Sequence, residues 1–294
     1  MNIQEQNSQL IDDFIFQLKK AENTKASYKR DLELFNRYLS KTNISINELN
    51  NNTVQMFIDA LEQGSIRNKD GKKYSPSTIN RIYAAIRTFC NYTNQHDAVK
   101  DIDINQTEHI SKLSPKSIET DEIETIRLRI SNSRKPSAQR DLAIFDMLYL
   151  TGVRVSELVN LTKDDLEYDE IEKVYRVHVR DSKNKKARSI PIQKDKFKYI
   201  KRYLDSRRDN VPYVFISQRQ KQLTTRSIQM MLKEYGITPH MLRHTFCTRL
   251  ARSNQYDLSM IASLAGHSIT VAQRYTTPTE KQKAEAIAKA FSLD

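Results

Sequence analysis

The sequence predicts a mainly α-helical chain in two domains, with one small antiparallel β-sheet that makes the second domain α+β. Three observations predict it. The 294 residues exceed the usual extent of a single hydrophobic core. Apolar residues recur at helical spacing through most of the chain. One stretch only, Glu172 to Val179, alternates at period two; a basic turn and Ser189-Ile190-Pro191-Ile192 follow, the pattern of a hairpin or short meander.

The first third reads as a helical bundle. A helix over about 23–39 places Tyr28, Leu32, Phe35 and Leu39 on one face, with Thr24 as its cap. A second begins near Thr53 and carries Val54, Phe57, Ile58 and Leu61. A third opens at Ser75-Pro76-Ser77, where proline suits the first turn, and continues through Ile79, Ile82, Ile86 and Phe89. Periodicity then fades into a polar stretch ending in Ser114-Pro115-Lys116, which divides the chain into a domain over 1–108, a linker over 109–117 and a domain over 118–294. Ser117 to Glu122 can cap the next helix, Gln139 to Leu150 forms an apolar one, and Thr151-Gly152 ends it. After Lys194 the pattern is helical again, and the tail from Lys281 to Phe291 has the composition of a helix.

Forty-eight Lys and Arg against 36 Asp and Glu give a net charge of +12, which favours a polyanionic partner. No long apolar run and no signal peptide is present, so the expectation is a soluble, cytoplasmic protein with no membrane partner. Cys90 and Cys247 lie far apart, without the spacing of a disulfide framework or a thiolate zinc site, and read as small buried hydrophobes.

A set of phosphate-binding residues is scattered along the second domain: Arg154, Lys183, His240, Arg243, His267 and Tyr275. His240 and Arg243, three apart, share a helix face, and Glu157 stands in the same relation to Arg154 and can orient its guanidinium. The segments Thr151-Gly152-Val153-Arg154-Val155-Ser156-Glu157-Leu158, His240-Met241-Leu242-Arg243-His244-Thr245-Phe246 and Leu264-Ala265-Gly266-His267, followed by Tyr275, resemble the tyrosine recombinase (phage integrase) family in order and approximate spacing. Lys25-Ala26-Ser27-Tyr28-Lys29-Arg30-Asp31-Leu32 and Ser75 to Arg81 are similar to its core-binding, SAM-like domain. The architecture is thereby similar to Xer-type and transposon-borne recombinases, whose two domains clamp around DNA.

The resemblance implies a site-specific recombinase that cuts and rejoins DNA through a 3′-phosphotyrosyl intermediate and a Holliday junction, with no metal or other cofactor. Tyr275 is then the nucleophile. Arg154 and Arg243 match the non-bridging oxygens of a phosphodiester with permanently charged guanidinium groups. His240 is the candidate base, since a phenol titrates near pH 10 and needs help to attack. His267 would donate to the phosphate, and Lys183, with Lys185 as the alternative, would protonate the leaving 5′-oxygen. Its implied partners are double-stranded DNA with inverted half-sites, further protomers making a dimer per site and a tetrameric synapse, and an accessory or directionality factor. The tail helix would dock on a neighbouring protomer. Tyr275 lies eight positions after His267, one fewer than usual in the family, which implies a shortened turn between two helices.

Plainer readings stand beside these. His240 and His244 have the i, i+4 spacing of a zinc pair, but no third ligand is evident, and His244 reads as structural. Lys185, Lys186 and Arg188 are a solvated turn or, beside a catalytic lysine, a DNA contact. Lys25, Arg81, Arg87 and Arg226 are surface charges or phosphate contacts. The alternative functions are a type IB topoisomerase-like relaxing enzyme and a catalytically weak architectural DNA-binding relative.

Overall fold

A computed structural model describes residues 3–104, 117–180, 187–253 and 256–276. Cα packing divides the chain into two compact units, one through Ile110 and the other from Ser111. The expected linker and tail helix, and Lys183, Lys185 and Lys186, lie wholly or mostly outside the described residues.

The first unit contains α1 (Ile3–Gln17), α2 (Glu22–Thr42), α3 (Asn51–Gln63) and α4 (Pro76–Tyr92). Helix starts follow local chemistry: Asn50 accepts from the Thr53 amide at 2.9 Å, and Ser75 from the Thr78 amide at 3.3 Å with Pro76 next in the chain. Thr24 is not a cap, because α2 begins earlier, after Ala21. The apolar faces read from the sequence meet in one core, where Phe35 packs on Phe57 and Phe14 on Phe89 at centroid distances of 4.8 and 5.3 Å. Each such fully buried ring contributes roughly 1.5–3 kcal/mol.

The second unit runs α5 (Thr120–Ser131), α6 (Ala138–Thr151), α7 (Val155–Leu158), β1 (Leu166–Asp169), β2 (Val174–Val179), β3 (Arg188–Gln193), α8 (Lys198–Ser206), α9 (Thr225–Lys233), α10 (Pro239–Arg252), α11 (Leu258–Ala265) and α12 (Ile269–Thr276). Ser117 does not cap α5; the next residue, Ile118, is buried and donates its amide to Thr245 Oγ1 at 2.9 Å. The sheet is an antiparallel meander in the order β1-β2-β3, with Val177 opposite Ile190 and Tyr175 opposite Ile192. Those residues and Val179 turn toward the core, and Tyr175 stacks on Phe197 at 4.0 Å. Strand β1 is the addition to the expected hairpin. Its four residues include Glu167 and Asp169, too short and too acidic to show an alternating signal. Among the described residues no helix is long and apolar enough to cross a membrane.

Candidate active site

The site is built where two helix ends meet the flank of a third helix. Helix α6 stops at Gly152, whose φ of 59° is left-handed and where a Cβ would stand 2.3 Å from the Phe246 ring, so glycine is required twice over. The chain turns directly into Arg154, which precedes α7. The Arg154 amide donates to Glu157 Oε2 at 2.7 Å, its Nη1 to Glu157 Oε1 at 2.8 Å and its Nη2 to the Gly266 carbonyl at 2.7 Å.

Helix α10 supplies the flank. Thr238 accepts from the Met241 amide at 3.2 Å, Pro239 occupies the first turn, and His240, Arg243, His244 and Cys247 follow along one face. Arg243 is buried and donates from Nη1 to the Gly152 carbonyl at 2.5 Å and from Nη2 to the Ala265 carbonyl. These acceptors lie at the C-terminal ends of α6 and α11, the ends that favour a cation. Burial lowers the Arg243 pKa, and the neighbouring Arg154 charge lowers it further. The site therefore holds a desolvated positive charge next to a second one.

The sequence reading missed a third arginine in this network. Arg188, at the start of β3, is not part of a solvated turn: its side chain is only 8% exposed and pairs with Glu157. It donates to Glu157 from Nη1 and Nη2 at 3.1 and 2.8 Å, and from Nε to the Leu264 carbonyl at 3.0 Å. A Cβ on Gly266 would stand 2.6 Å from its Nη1. Burial raises the Glu157 pKa, but hydrogen bonds from Arg188 and Arg154 outweigh it and hold the carboxylate below its ordinary value. One carboxylate thus orients two guanidinium groups.

The nucleophile candidate lies in a different setting. Helix α11 ends at Gly266, φ 64°, and His267 and Ser268 lead into α12, which packs on α10 and α11. The rings of His267 and Tyr275 stack at 5.7 Å and 19°. His267 Nδ1 donates to the Ser268 carbonyl at 3.2 Å, and Nε2 is 3.8 Å from Cys247 Sγ. Burial, then Arg243, lowers the His267 pKa. Tyr275 is 7% exposed and packs with Phe246, Cys247 and Ala265. Both cysteines are buried, as expected, and burial pushes the Cys90 thiol up to about 12.

The Tyr275 hydroxyl is 2.9 Å from Nδ1 of His244, not beside His240. A partner of the phenol on α10 is therefore His244, read from the sequence as structural, while the candidate base His240 lies one turn away. The reason is placement along α10. His240 is exposed in the first turn, while His244, one turn on and 5.3 Å away ring to ring, faces α12. The i, i+4 spacing of His240 and His244 is the signal for it and is also that of a zinc pair, but among the described residues no three His, Cys, Asp or Glu converge as metal ligands.

Arg154, His240 and Arg243 line one cavity of about 630 Å³, together with Arg226 and Lys233. In the first unit, Arg30, Arg37, Lys41, Arg67, Lys69 and Arg81 line another of about 710 Å³. Arg81 there pairs with buried Asp31 and donates to Ser27 Oγ at 2.7 Å; Lys25 pairs with Glu22 at 3.4 Å, and Arg87 is exposed on α4. Five of the six basic residues in that cavity escaped the sequence reading, which singled out only Arg81.

Residues 116–282 match the phage integrase family, and residues 11–96 match the phage integrase N-terminal SAM-like domain. The chain belongs to the phage integrase family. It is 32% identical to tyrosine recombinase XerA of Pyrococcus horikoshii, over 98% of this chain and 95% of that protein. To tyrosine recombinase XerD of Listeria innocua it is 31% identical, over 92% and 94%. The fold is similar to that of XerH site-specific recombinase bound to difH substrate, with a TM-score of 0.72 and 16% identity over 97% and 95% of the two chains. It is also similar to that of the Tn1549 transposon integrase in complex with transposon right end DNA, with a TM-score of 0.69 and 20% identity over the whole of both. This member of the phage integrase family is a site-specific tyrosine recombinase; the relaxing-enzyme and architectural alternatives are not favoured.

Proposed function

We propose that Tyr275 is the nucleophile of strand cleavage and that Arg154 and Arg243 bind the phosphate it attacks. The Tyr275 oxygen bonds to phosphorus, the bond to the 5′-oxygen breaks, and the DNA 3′-phosphate becomes a phosphotyrosyl ester. Lys183 supplies the proton that the 5′-oxygen takes up. His240 takes the phenol proton once the hydroxyl has turned to the phosphate, and His267 donates to a phosphate oxygen the hydrogen that it gives to the Ser268 carbonyl in the free protein. Because the ester conserves the broken bond, a 5′-hydroxyl from another strand can attack it and reseal the DNA without an energy source. Glu157 orients Arg154.

The observation that carries this reading is the convergence of Arg154, Arg243 and His240 on one cavity, two of them guanidinium groups already fixed by backbone carbonyls. Such fixed donors stabilise developing negative charge without reorganising, which is the largest single contribution to many enzymes of this kind. The DNA substrate on this reading carries inverted half-sites around a short spacer, one protomer on each. Two such sites form a tetrameric synapse through a Holliday junction, with an accessory or directionality factor setting the direction. Both units contact the duplex: Lys25, Arg81 and Arg87 from the first, Arg226, Lys185 and Lys186 from the second. The enzyme acts in the cytoplasm on the nucleoid.

A suicide substrate tests the chemistry. A nick close to the cleavage position releases a short 5′-hydroxyl strand and traps the covalent adduct. Sites are found by mapping adducts on DNA flanking the enzyme's own gene. Wild type is expected to give a denaturation-resistant protein–DNA adduct and Tyr275→Phe none. An adduct in the phenylalanine variant overturns the assignment.

A further inference from the structure

Tyr275 is nearly enclosed, and a phenol so placed keeps its hydroxyl hydrogen-bonded. The 2.9 Å contact with His244 Nδ1 joins α12 to the face of α10 that carries His240 and Arg243. The two rings meet at 5.7 Å and 45°, with His267 stacked on the phenol. His244 is neutral at physiological pH, because burial, and then the neighbouring His240, Arg243 and His267 side chains, push its pKa down to about 4. A neutral imidazole has one acceptor nitrogen. A phenol is the stronger acid of the two possible donors, so the favoured arrangement leaves Nδ1 bare to receive the hydroxyl proton and puts the imidazole hydrogen on Nε2.

We infer that His244 is a positioning residue for the nucleophile: its Nδ1 accepts the Tyr275 hydroxyl and sets the direction from which the phenol oxygen is delivered to a phosphate held by Arg154 and Arg243. The inference rests on Tyr275 being the nucleophile. His244 is not itself the base, since an imidazolium there would be buried among His240, Arg243 and His267. It acts through Tyr275, so its loss impairs the attacking side of the reaction and leaves the departing side intact.

That split is measurable. On the trapped-adduct substrate, with full-length protein, His244→Leu is expected to form adduct on the order of 100-fold more slowly, the loss that a small misplacement of a reacting group brings. DNA affinity should stay within about twofold, since no phosphate contact is removed. His244→Asn, whose amide can stand where Nδ1 stood, recovers most of the rate. Replacing the bridging 5′-oxygen by sulfur gives a leaving group that needs no proton, so it rescues Lys183→Ala but leaves the His244→Leu deficit in place. A rate at or above wild type in His244→Leu overturns the inference, as does sulfur rescue of that variant or an asparagine variant no better than leucine.

A second measurement needs no DNA and covers the case in which the leucine variant does not fold. In full-length protein labelled with ¹⁵N-histidine, Nδ1 of His244 should resonate as an unprotonated nitrogen at neutral pH and shift in Tyr275→Phe. A His244 resonance indifferent to Tyr275→Phe also overturns it. An adduct formed by Tyr275→Phe would instead overturn the nucleophile assignment itself, so the two failures are told apart.

Discussion

The two halves of the site are held by different means. On the phosphate side, Arg154, Arg188 and Arg243 give hydrogen bonds to the carbonyls of Gly152, Leu264, Ala265 and Gly266 and to the two oxygens of Glu157. On the nucleophile side, Tyr275 is held by ring packing and by hydrogen bonds with the neutral His244 imidazole and the Cys247 side chain. A charged donor fixed to backbone on several sides cannot adapt without cost, whereas a phenol on a short helix can exchange one partner for another. On the proposed mechanism, the difference separates what is ready before DNA arrives from what moves when it does.

Removing a phosphate-side charge should therefore have the largest effect. Arg243→Ala is expected to slow adduct formation on the order of 10³-fold, with DNA still bound, because a preorganised donor to developing charge is lost. Single-turnover adduct assays at saturating DNA measure it, and a loss smaller than that of His244→Leu would invert the comparison. Glu157→Gln comes next. It leaves the Arg188 side chain, 8% exposed, without its carboxylate, and breaking such a buried pair costs about 3–5 kcal/mol. Thermal melting should show that loss, with a smaller fall in cleavage as Arg154 loses its orientation.

Titration should separate the halves without any mutation. His244 has a folded pKa of about 4 against an ordinary 6.5, so between those values the unfolded chain binds the extra proton and stability falls as the pH is lowered. Glu157 is depressed below its ordinary value, so its contribution is complete above that value and is lost only as the pH falls through the lower folded one. The nucleophile side should weaken first. Melting temperature followed from pH 7 to 3 is expected to flatten between about 6.5 and 4 in His244→Asn, and only toward the acid end in Glu157→Gln. A wild-type profile unchanged by His244→Asn would show that His244 titrates normally.

How much of this was legible follows from the range of each contact. The helices of the first unit could be read because their apolar positions repeat within a turn or two, as Leu32, Phe35 and Leu39 do in α2. The Arg154–Glu157 pair could be anticipated for the same reason, being three residues apart. The Arg188–Glu157 and His244–Tyr275 contacts each bridge 31 residues and join elements of different direction. No local period encodes them. Arg188 was also hidden by composition, since a basic run beside Lys185 and Lys186 looks the same whether its members face solvent or a buried carboxylate. Arg30, Arg37, Lys41, Arg67 and Lys69 were lost in the same way among 48 basic residues, and only folding gathers them around one cavity.

The smallest effect tests how far the phosphate side extends. Arg226 lies in the first turn of α9 and shares the cavity with Arg154 and Arg243, but has no part in the proposed cleavage step. As a phosphate contact it contributes through counterion release, which is independent of base sequence. Arg226→Ala should then lower affinity to a similar degree on specific and unrelated duplexes. The slope of log K against log salt should become shallower by about 0.9, the value for one phosphate contact. Adduct formation at saturating DNA should hardly change. Binding titrations across a salt series decide it: an unchanged slope with discrimination lost at one base pair would move Arg226 from the phosphate side to base readout, where a bidentate contact is worth about 1–3 kcal/mol.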